Sequence, residues 1–155
     1  MNNLFHKKCV YLAQVTNFLP QGQQQMTKTN HQSIKIVGRV TYGNGLGQKL
    51  GFPTANVEPS EPMPEVADGV WAGIAEVEGA QYKSVINIGY SPSVVECGER
   101  RIEAHIVGFE GDIYGKMVTL TLLHHLREER KFASRDALVE QIRHDRDEAI
   151  ALLNK

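Results

Sequence analysis

The sequence predicts a small, mainly β domain, either an antiparallel barrel or a sandwich, followed by one C-terminal helix. Five short segments are rich in Val, Ile, Thr and aromatic residues, and most are bounded by Gly, Pro or Asp, which is typical of antiparallel strands. After the last of them the apolar residues take up the period of a helix. The five segments are "IKIVGRV" (34–40), "GVWAGIAEVEG" (69–79), "YKSVINIG" (82–89), "RIEAHIVGF" (101–109) and "KMVTLTLLHHL" (116–126).

Two of these segments alternate clearly between apolar and other residues. Because successive side chains of a strand point to opposite faces, every second residue shares one face of the sheet. The alternation therefore predicts one buried face on each of these two strands. The residues that it assigns to buried faces are Ile102, Ala104 and Ile106 in one strand, and Val118, Leu120 and Leu122 in the other.

The helix is predicted from the segment "SRDALVEQIRHDRDEAIALL" (134–153). Ser134 is a suitable N-cap residue, since its hydroxyl can accept a hydrogen bond from a free backbone N–H of the first turn. The spacing of the apolar residues predicts one helical face that packs on the sheet, with charges on the other face. This face holds Leu138, Ile142, Ala149 and Leu152.

Composition limits the domain organisation and the classes of function. The chain has 155 residues, of which 41% are hydrophobic and 23% charged, enough for one domain with a core. We assign this domain to residues 34–155 and expect residues 1–33, whose apolar run is short and interrupted by polar residues, to be a poorly packed tail. The net charge of −1 provides no general attraction to nucleic acid or to an anionic membrane. Cys9 and Cys97 form no CxxC motif, which favours a reducing, cytoplasmic environment.

A glycine-rich segment, "YGNGLGQKLGFPTAN" (42–56), fits neither a helix nor a strand pattern and predicts a loop. It matches neither the Walker A motif nor the GxGxxG motif of dinucleotide-binding folds. Its glycines allow two interpretations, a tight turn or a loop whose backbone N–H groups approach a phosphate. Thr54 and Asn56 favour the second, because a hydroxyl and an amide oxygen suit magnesium that also contacts substrate phosphates.

Five motifs follow one another along the chain: "GRVTYGNGLGQKLGFPTAN", "DGVWAG", "NIGYSP", "IEAHIVGFEGDIYG" and "LREERKF". In this order they resemble the ATP-dependent riboflavin kinase (flavokinase) domain, from about Ile34 to about Leu153. That resemblance implies a six-stranded antiparallel barrel with Greek-key-like connections and a C-terminal helix. The sixth strand follows from the resemblance alone.

The resemblance implies transfer of the γ-phosphate of ATP to the 5′-hydroxyl of riboflavin, which gives FMN and ADP. It assigns the general base to Glu103 and a magnesium ion, or another divalent cation, to Thr54 and Asn56. Strand alternation alone favours a solvated surface position for Glu103, because it lies opposite the apolar face. His105 shares its face with Glu103, and we expect it to be structural rather than catalytic.

The resemblance also implies binding residues for both substrates. Alternation and local composition leave other interpretations open for two of them, since Asn87 could belong to a turn and Arg127 could be a solvated charge. The adjacent His124 and His125 point to opposite faces of a strand, so we assign them no metal. The nucleotide- and phosphate-binding residues are Gly43, Gly45, Gly47, Lys49, Gly51, Pro53, Thr54, Asn56 and Asn87, and the flavin-binding residues are Arg127, Glu128 and Phe132.

The expected partners are riboflavin and FMN, and ATP and ADP, with no nucleic acid and no membrane, and the expected state is a monomer. Many bacterial relatives carry an FMN adenylyltransferase domain in front of the kinase domain, and the 33 polar N-terminal residues cannot contain one, so we expect the reaction to stop at FMN. The alternative is a catalytically weak flavin- or nucleotide-binding regulatory module of the same fold. Such a module would be expected to lack Thr54, Asn56 and Glu103, which this chain retains.

Overall fold

The computed structural model describes residues 33–43, 45–90 and 100–155. The predicted tail lies outside these residues, apart from residue 33. The described chain contains six strands and two helices. The elements are β1 (Ile34–Thr41), α1 (Leu46–Lys49), β2 (Ala55–Pro59), β3 (Gly69–Val77), β4 (Ala80–Tyr90), β5 (Arg100–Ile106), β6 (Met117–Arg127) and α2 (Arg135–Leu152).

The six strands form one closed antiparallel barrel in the order β1-β2-β5-β4-β3-β6, and β6 pairs back onto β1. Strands that follow each other in the chain are neighbours, except that the β2–β3 and β5–β6 connections each cross two strands. These two crossings are the Greek-key feature that the resemblance implies, and the predicted fold class is confirmed. Closure pairs each of the six described strands on both sides, which distinguishes the barrel from the sandwich alternative.

The barrel interior is filled by the side chains that alternate inward. Both predicted buried faces are confirmed, since Ile102, Ala104 and Ile106 of β5 and the three predicted residues of β6 are all buried. They pack in one cluster with Ile86 and Ile88 of β4, which are fully buried. The opposite face of these strands is therefore the outside of the barrel.

Two predicted strands extend too far, because turns end them earlier. β3 stops at Val77, and Glu78 and Gly79 form the two-residue hairpin to β4, with φ values of 50° and 83°. Positive φ at both residues is the signature of a type I′ turn, whose twist matches that of the strands. β5 likewise ends at Ile106 rather than 109, and Gly108 has a φ of 72° in the turn that follows.

The prediction of a loop from 42 to 56 is wrong at two places. A short helix, α1, lies within the glycine-rich run, and β2 already begins at Ala55. β2 pairs with β1 on one side and, through Ala55 and Asn56, with β5 on the other. It shows no alternating pattern, since only Val57 of its five residues is buried. Its conformation is imposed by its two neighbours rather than by local preference.

Helix α2 begins as predicted. The Ser134 hydroxyl oxygen accepts a hydrogen bond from the Ala137 N–H at 3.1 Å. The helix packs on β3, β4 and β6, with Ala149 fully buried. Its packed face also contains a charged residue, Asp145, which is only 2% exposed.

Candidate active site

A cavity of about 300 Å³ lies between the outer face of the barrel and helix α2. Phe52 and Phe132 contribute aromatic side chains to it, and Leu138 and Ile142 contribute aliphatic ones from α2. We call this the helix-side cavity. Its polar lining residues include Thr54, Asn87, Glu103, His105, Arg127 and Glu129.

Three predicted site residues form one row across neighbouring strands. Asn56 of β2 is directly opposite Glu103 of β5, and Glu103 is directly opposite Asn87 of β4. Directly opposed residues of antiparallel strands share a face, with Cα atoms about 4.5–5.5 Å apart. Glu103 is half-buried and lines the helix-side cavity. Glu103 therefore lies on the outer face, as alternation predicts, but it is only partly exposed, because α2 and the segment that precedes it cover this part of that face.

Two glycines of the glycine-rich run pack against the predicted metal ligands. A Cβ added to Gly47 would lie 2.9 Å from the Thr54 hydroxyl oxygen, and a Cβ at Gly43 would overlap the Asn56 side chain. The Gly47 carbonyl also accepts a hydrogen bond from the Phe52 N–H at 2.8 Å. Glycine at these two positions thus lets the backbone approach Thr54 and Asn56 closely.

The other predicted phosphate-binding residues of this run lie elsewhere. Gly45 and Gly51 have positive φ values of 64° and 83° and are exposed, and Lys49 is exposed as well. None of these three residues lines the helix-side cavity. The Lys49 carbonyl accepts a hydrogen bond from Arg135 at 3.0 Å, which joins the end of α1 to the start of α2.

A second cavity, of about 430 Å³, lies on the other side of Thr54. Pro53 lines it from the glycine-rich side, and Phe109 and Tyr114 line it from the β5–β6 connection. The Tyr114 ring stacks on the ring of Tyr42, with centroids 4.3 Å apart. Thr54 lines both cavities, so ligands in the two cavities would meet at its side chain.

His105 and His125 near the site contact a backbone carbonyl and aromatic rings. The Nδ1 atom of His105 lies 2.9 Å from the Pro53 carbonyl oxygen, and its ring meets that of Phe52 edge-on at 5.6 Å. His125 lies edge-on to Trp71 at 4.8 Å. Within residues 33–43, 45–90 and 100–155, no three His, Cys, Asp or Glu side chains are grouped as a metal site.

Arg127 at the end of β6 forms an ion pair with the buried Asp145 of α2. Its Nη2 atom donates to Asp145 Oδ2 at 2.8 Å, and its Nη1 atom donates to the Glu128 carbonyl at 2.9 Å. Gln141 donates a further hydrogen bond to Asp145 at 2.7 Å. The Arg127 side chain is only 20% exposed, so its interpretation as a solvated charge is wrong.

Sequence reasoning missed Asp145, although a signal for it exists. Asp145 lies three residues after Ile142 and four before Ala149, so it continues the apolar face of α2. A charged residue on such a face predicts a buried partner of opposite charge.

Asn87 lies within β4, three residues before its last residue, so its interpretation as a turn residue is wrong. Its Nδ2 atom donates a hydrogen bond to Glu129 Oε1 at 3.0 Å. Its Oδ1 atom is buried and has no hydrogen-bond partner in the described part of the chain. The Glu129 carboxylate in turn packs on Gly89, where an added Cβ would overlap it.

Sequence reasoning selected Glu128 in the charged run and missed its neighbour. Both glutamates are exposed, but Glu129 lines the helix-side cavity together with Phe132 and Glu128 does not. Two adjacent glutamates carry no sequence signal that distinguishes them, because only the backbone direction after β6 decides which of them faces the barrel.

A closed Greek-key barrel with a C-terminal helix and a polar row beside two cavities defines a small β-barrel domain with an enzyme-like site. The model of the riboflavin kinase (flavokinase) family matches residues 30–153. This chain belongs to the riboflavin kinase family.

Two curated proteins that are similar to this chain are longer than it is. The bifunctional riboflavin kinase/FMN adenylyltransferase of Pseudomonas fluorescens is 37% identical over 119 residues, which are 77% of this chain and 38% of that protein. The RNA-binding riboflavin kinase RibR of Bacillus subtilis is 39% identical over 110 residues, which are 71% of this chain and 47% of that protein. This chain therefore spans less than half the length of these curated relatives.

A solved structure described as a macrolide-efflux protein from Streptococcus pneumoniae has the same fold, with a TM-score of 0.69 and 32% sequence identity. The match covers 74% of this chain and 38% of that chain. None of the helices in the described part of our chain is both long and apolar enough to cross a lipid bilayer.

Proposed function

We propose that this chain is a riboflavin kinase, which transfers the γ-phosphate of ATP to the 5′-hydroxyl of riboflavin. The observation that carries the proposal is the position of half-buried Glu103, which lines a cavity that meets a second cavity at Thr54. The helix-side cavity, with Phe52 and Phe132, suits the flat apolar ring system of a flavin. The second cavity takes the nucleotide, so that its terminal phosphate reaches Thr54.

Glu103 acts as the general base in this proposal. Its carboxylate orients the 5′-hydroxyl and accepts the proton while the new oxygen–phosphorus bond forms and the bond to the leaving ADP breaks. Phosphoryl transfer requires mainly positioning and charge stabilisation from the protein. The strand pairing that places Glu103 between Asn56 and Asn87 provides the positioning.

Thr54 and Asn56 provide the oxygen atoms for a magnesium ion. Two neutral oxygen ligands fit an ion that keeps several waters and binds substrate phosphates. The close packing of Gly47 and Gly43 on these two side chains supports the assignment, because it fixes their positions. When bound, the ion neutralises negative charge on the phosphate oxygens.

Incubation of the full chain with riboflavin, ATP and magnesium is expected to yield FMN and ADP, identified by mass. No FAD is expected, even with excess ATP. Failure to form FMN with any divalent cation or nucleotide would contradict the kinase proposal. Riboflavin binding without turnover would favour the regulatory-module alternative, and FAD would show that the reaction continues beyond FMN.

Thr54→Ala and Asn56→Ala are each expected to weaken ATP binding about tenfold or more in magnesium, because each removes an oxygen ligand of the ion. In EDTA the same variants should bind ATP almost like the unchanged chain. Calorimetric titration under both conditions measures the difference. Thr54→Ser, which keeps the hydroxyl, is the matched control. An equal loss in both conditions would indicate a change of loop shape and no metal role.

A further inference from the structure

The Asn87 amide combines one satisfied and one unsatisfied group. Its Nδ2 atom donates to Glu129, while its buried Oδ1 atom has no partner among the described residues. Buried polar atoms nearly always have a hydrogen-bond partner, and an unpaired one requires an explanation. The amide cannot simply be turned around, because Oδ1 would then face the Glu129 carboxylate, and two acceptors do not pair.

The missing partner of Asn87 Oδ1 must be a hydrogen-bond donor, and the residues around Oδ1 limit which chemical groups can bind there. Phosphate groups of a nucleotide are acceptors and carry no proton to donate, and the carboxylates of Glu103 and Glu129, which line the same cavity, would repel them. A hydroxyl group can donate and accept. Because Asn87 is directly opposite Glu103, a donor at Oδ1 lies beside the hydroxyl that Glu103 holds.

We infer that Asn87 is a specificity-determining residue that binds the hydroxyl next to the phosphorylated one, the 4′-hydroxyl of the ribityl chain. The inference deepens the proposed function and rests on it. It also places Asn87 on the flavin side rather than the nucleotide side. Glu129 is a positioning residue, which fixes the amide so that Oδ1 is the atom offered to the substrate.

Glu129 also controls access to this amide. Its side chain is exposed, so a change of rotamer can admit the substrate and then restore the hydrogen bond to Nδ2. Its present position depends on Gly89, since a Cβ at that residue would overlap the carboxylate. Gly89 does not have a positive φ, so alanine is compatible with its backbone. Gly89→Ala therefore displaces the Glu129 side chain without substitution of either Glu129 or Asn87.

The test compares riboflavin with 4′-deoxyriboflavin, both by flavin fluorescence titration without ATP and by kcat/KM. The unchanged chain is expected to prefer riboflavin by about 5- to 50-fold. Asn87→Ala should reduce this ratio to nearly 1, and Asn87→Ser provides a second variant if the first is unstable. Equal preference in the unchanged chain, or full preference in Asn87→Ala, would overturn the inference.

Glu129→Ala and Gly89→Ala should each reduce the preference several-fold, and the double variant should be no worse than either one, because both act through the same contact. Glu129→Gln keeps an acceptor oxygen and should retain the preference. Glu140→Ala, at an exposed position of α2 outside the cavity, is the matched control. Additive effects of the two single variants would overturn the positioning role. Since binding is measured without ATP, these outcomes are separate from a failure of phosphoryl transfer.

Discussion

Glu103→Gln is expected to lower kcat by about 10²- to 10⁴-fold, the usual contribution of a positioned general base. The substitution keeps the size of the side chain and removes its ability to accept the proton of the 5′-hydroxyl. Stability should change by less than about 0.5 kcal/mol, since the residue is half-buried and the inward-facing neighbours Ile102 and Ala104 are unchanged. Steady-state kinetics and thermal unfolding of the same sample measure both effects.

The matched control is Glu76→Gln, at an exposed position of β3. It should leave kcat and stability unchanged. Riboflavin and ATP should still bind to Glu103→Gln with nearly normal affinity. Near-normal turnover in this variant would remove Glu103 from the mechanism, and a loss of riboflavin affinity alone would make it a substrate-positioning residue.

Asp145→Ala is expected to reduce the free energy of unfolding by about 3–5 kcal/mol, because it leaves the Arg127 guanidinium near the barrel wall without its carboxylate partner. The Asp145 side chain is 3% exposed in this pair and the Arg127 side chain 20% exposed, so water screens the pair little. A small domain is stable by only about 5–15 kcal/mol, so the loss is large. Urea unfolding followed by Trp71 fluorescence measures it.

The double variant Arg127→Met with Asp145→Leu separates stability from site geometry. Replacing a buried ion pair by apolar residues of similar volume is often neutral or stabilising, so the double variant should recover most of the loss. It should not recover activity, because it still lacks the hydrogen bond from Arg127 to the Glu128 carbonyl. This hydrogen bond helps to position the segment before α2. A single Asp145→Ala variant as stable as the unchanged chain would contradict a stabilising role for the pair.

The inside of the barrel could be predicted from sequence because burial leaves a simple pattern. Ile102 and Leu120 each lie in a strand whose every second residue is apolar, and that alternation alone identified both faces. β2 left no such pattern. Its residues, Ala55–Pro59, are extended because β1 and β5 pair with them on the two sides. Pairing between segments that are distant in the chain cannot be predicted from local sequence.

The same distinction applies to the site. The family resemblance assigns roles to Thr54, Asn56 and Glu103, and the strand register places Asn56 directly opposite Glu103. Glu129 and Asp145 escaped prediction for different reasons. Asp145 looked like one more charge in a charged helix, although its position on the apolar face was informative. The position of the Glu129 side chain depends on the direction of the backbone after β6, which is set by tertiary packing.

The pairing of β2 with β5 is short, with only Ala55 opposite Ala104 and Asn56 opposite Glu103, whereas β3 and β4 pair along nine residues. The shortest strand pairing of the closed barrel therefore lies where the predicted metal ligand Asn56 is opposite the predicted base Glu103. Local opening of this pairing breaks few hydrogen bonds and requires little free energy compared with global unfolding. In hydrogen exchange, the amides of β2 that face β5 should lose protection well before those between β3 and β4. Transient separation of β2 from β5 would then interrupt the reaction at the site, while the core of the barrel stays folded.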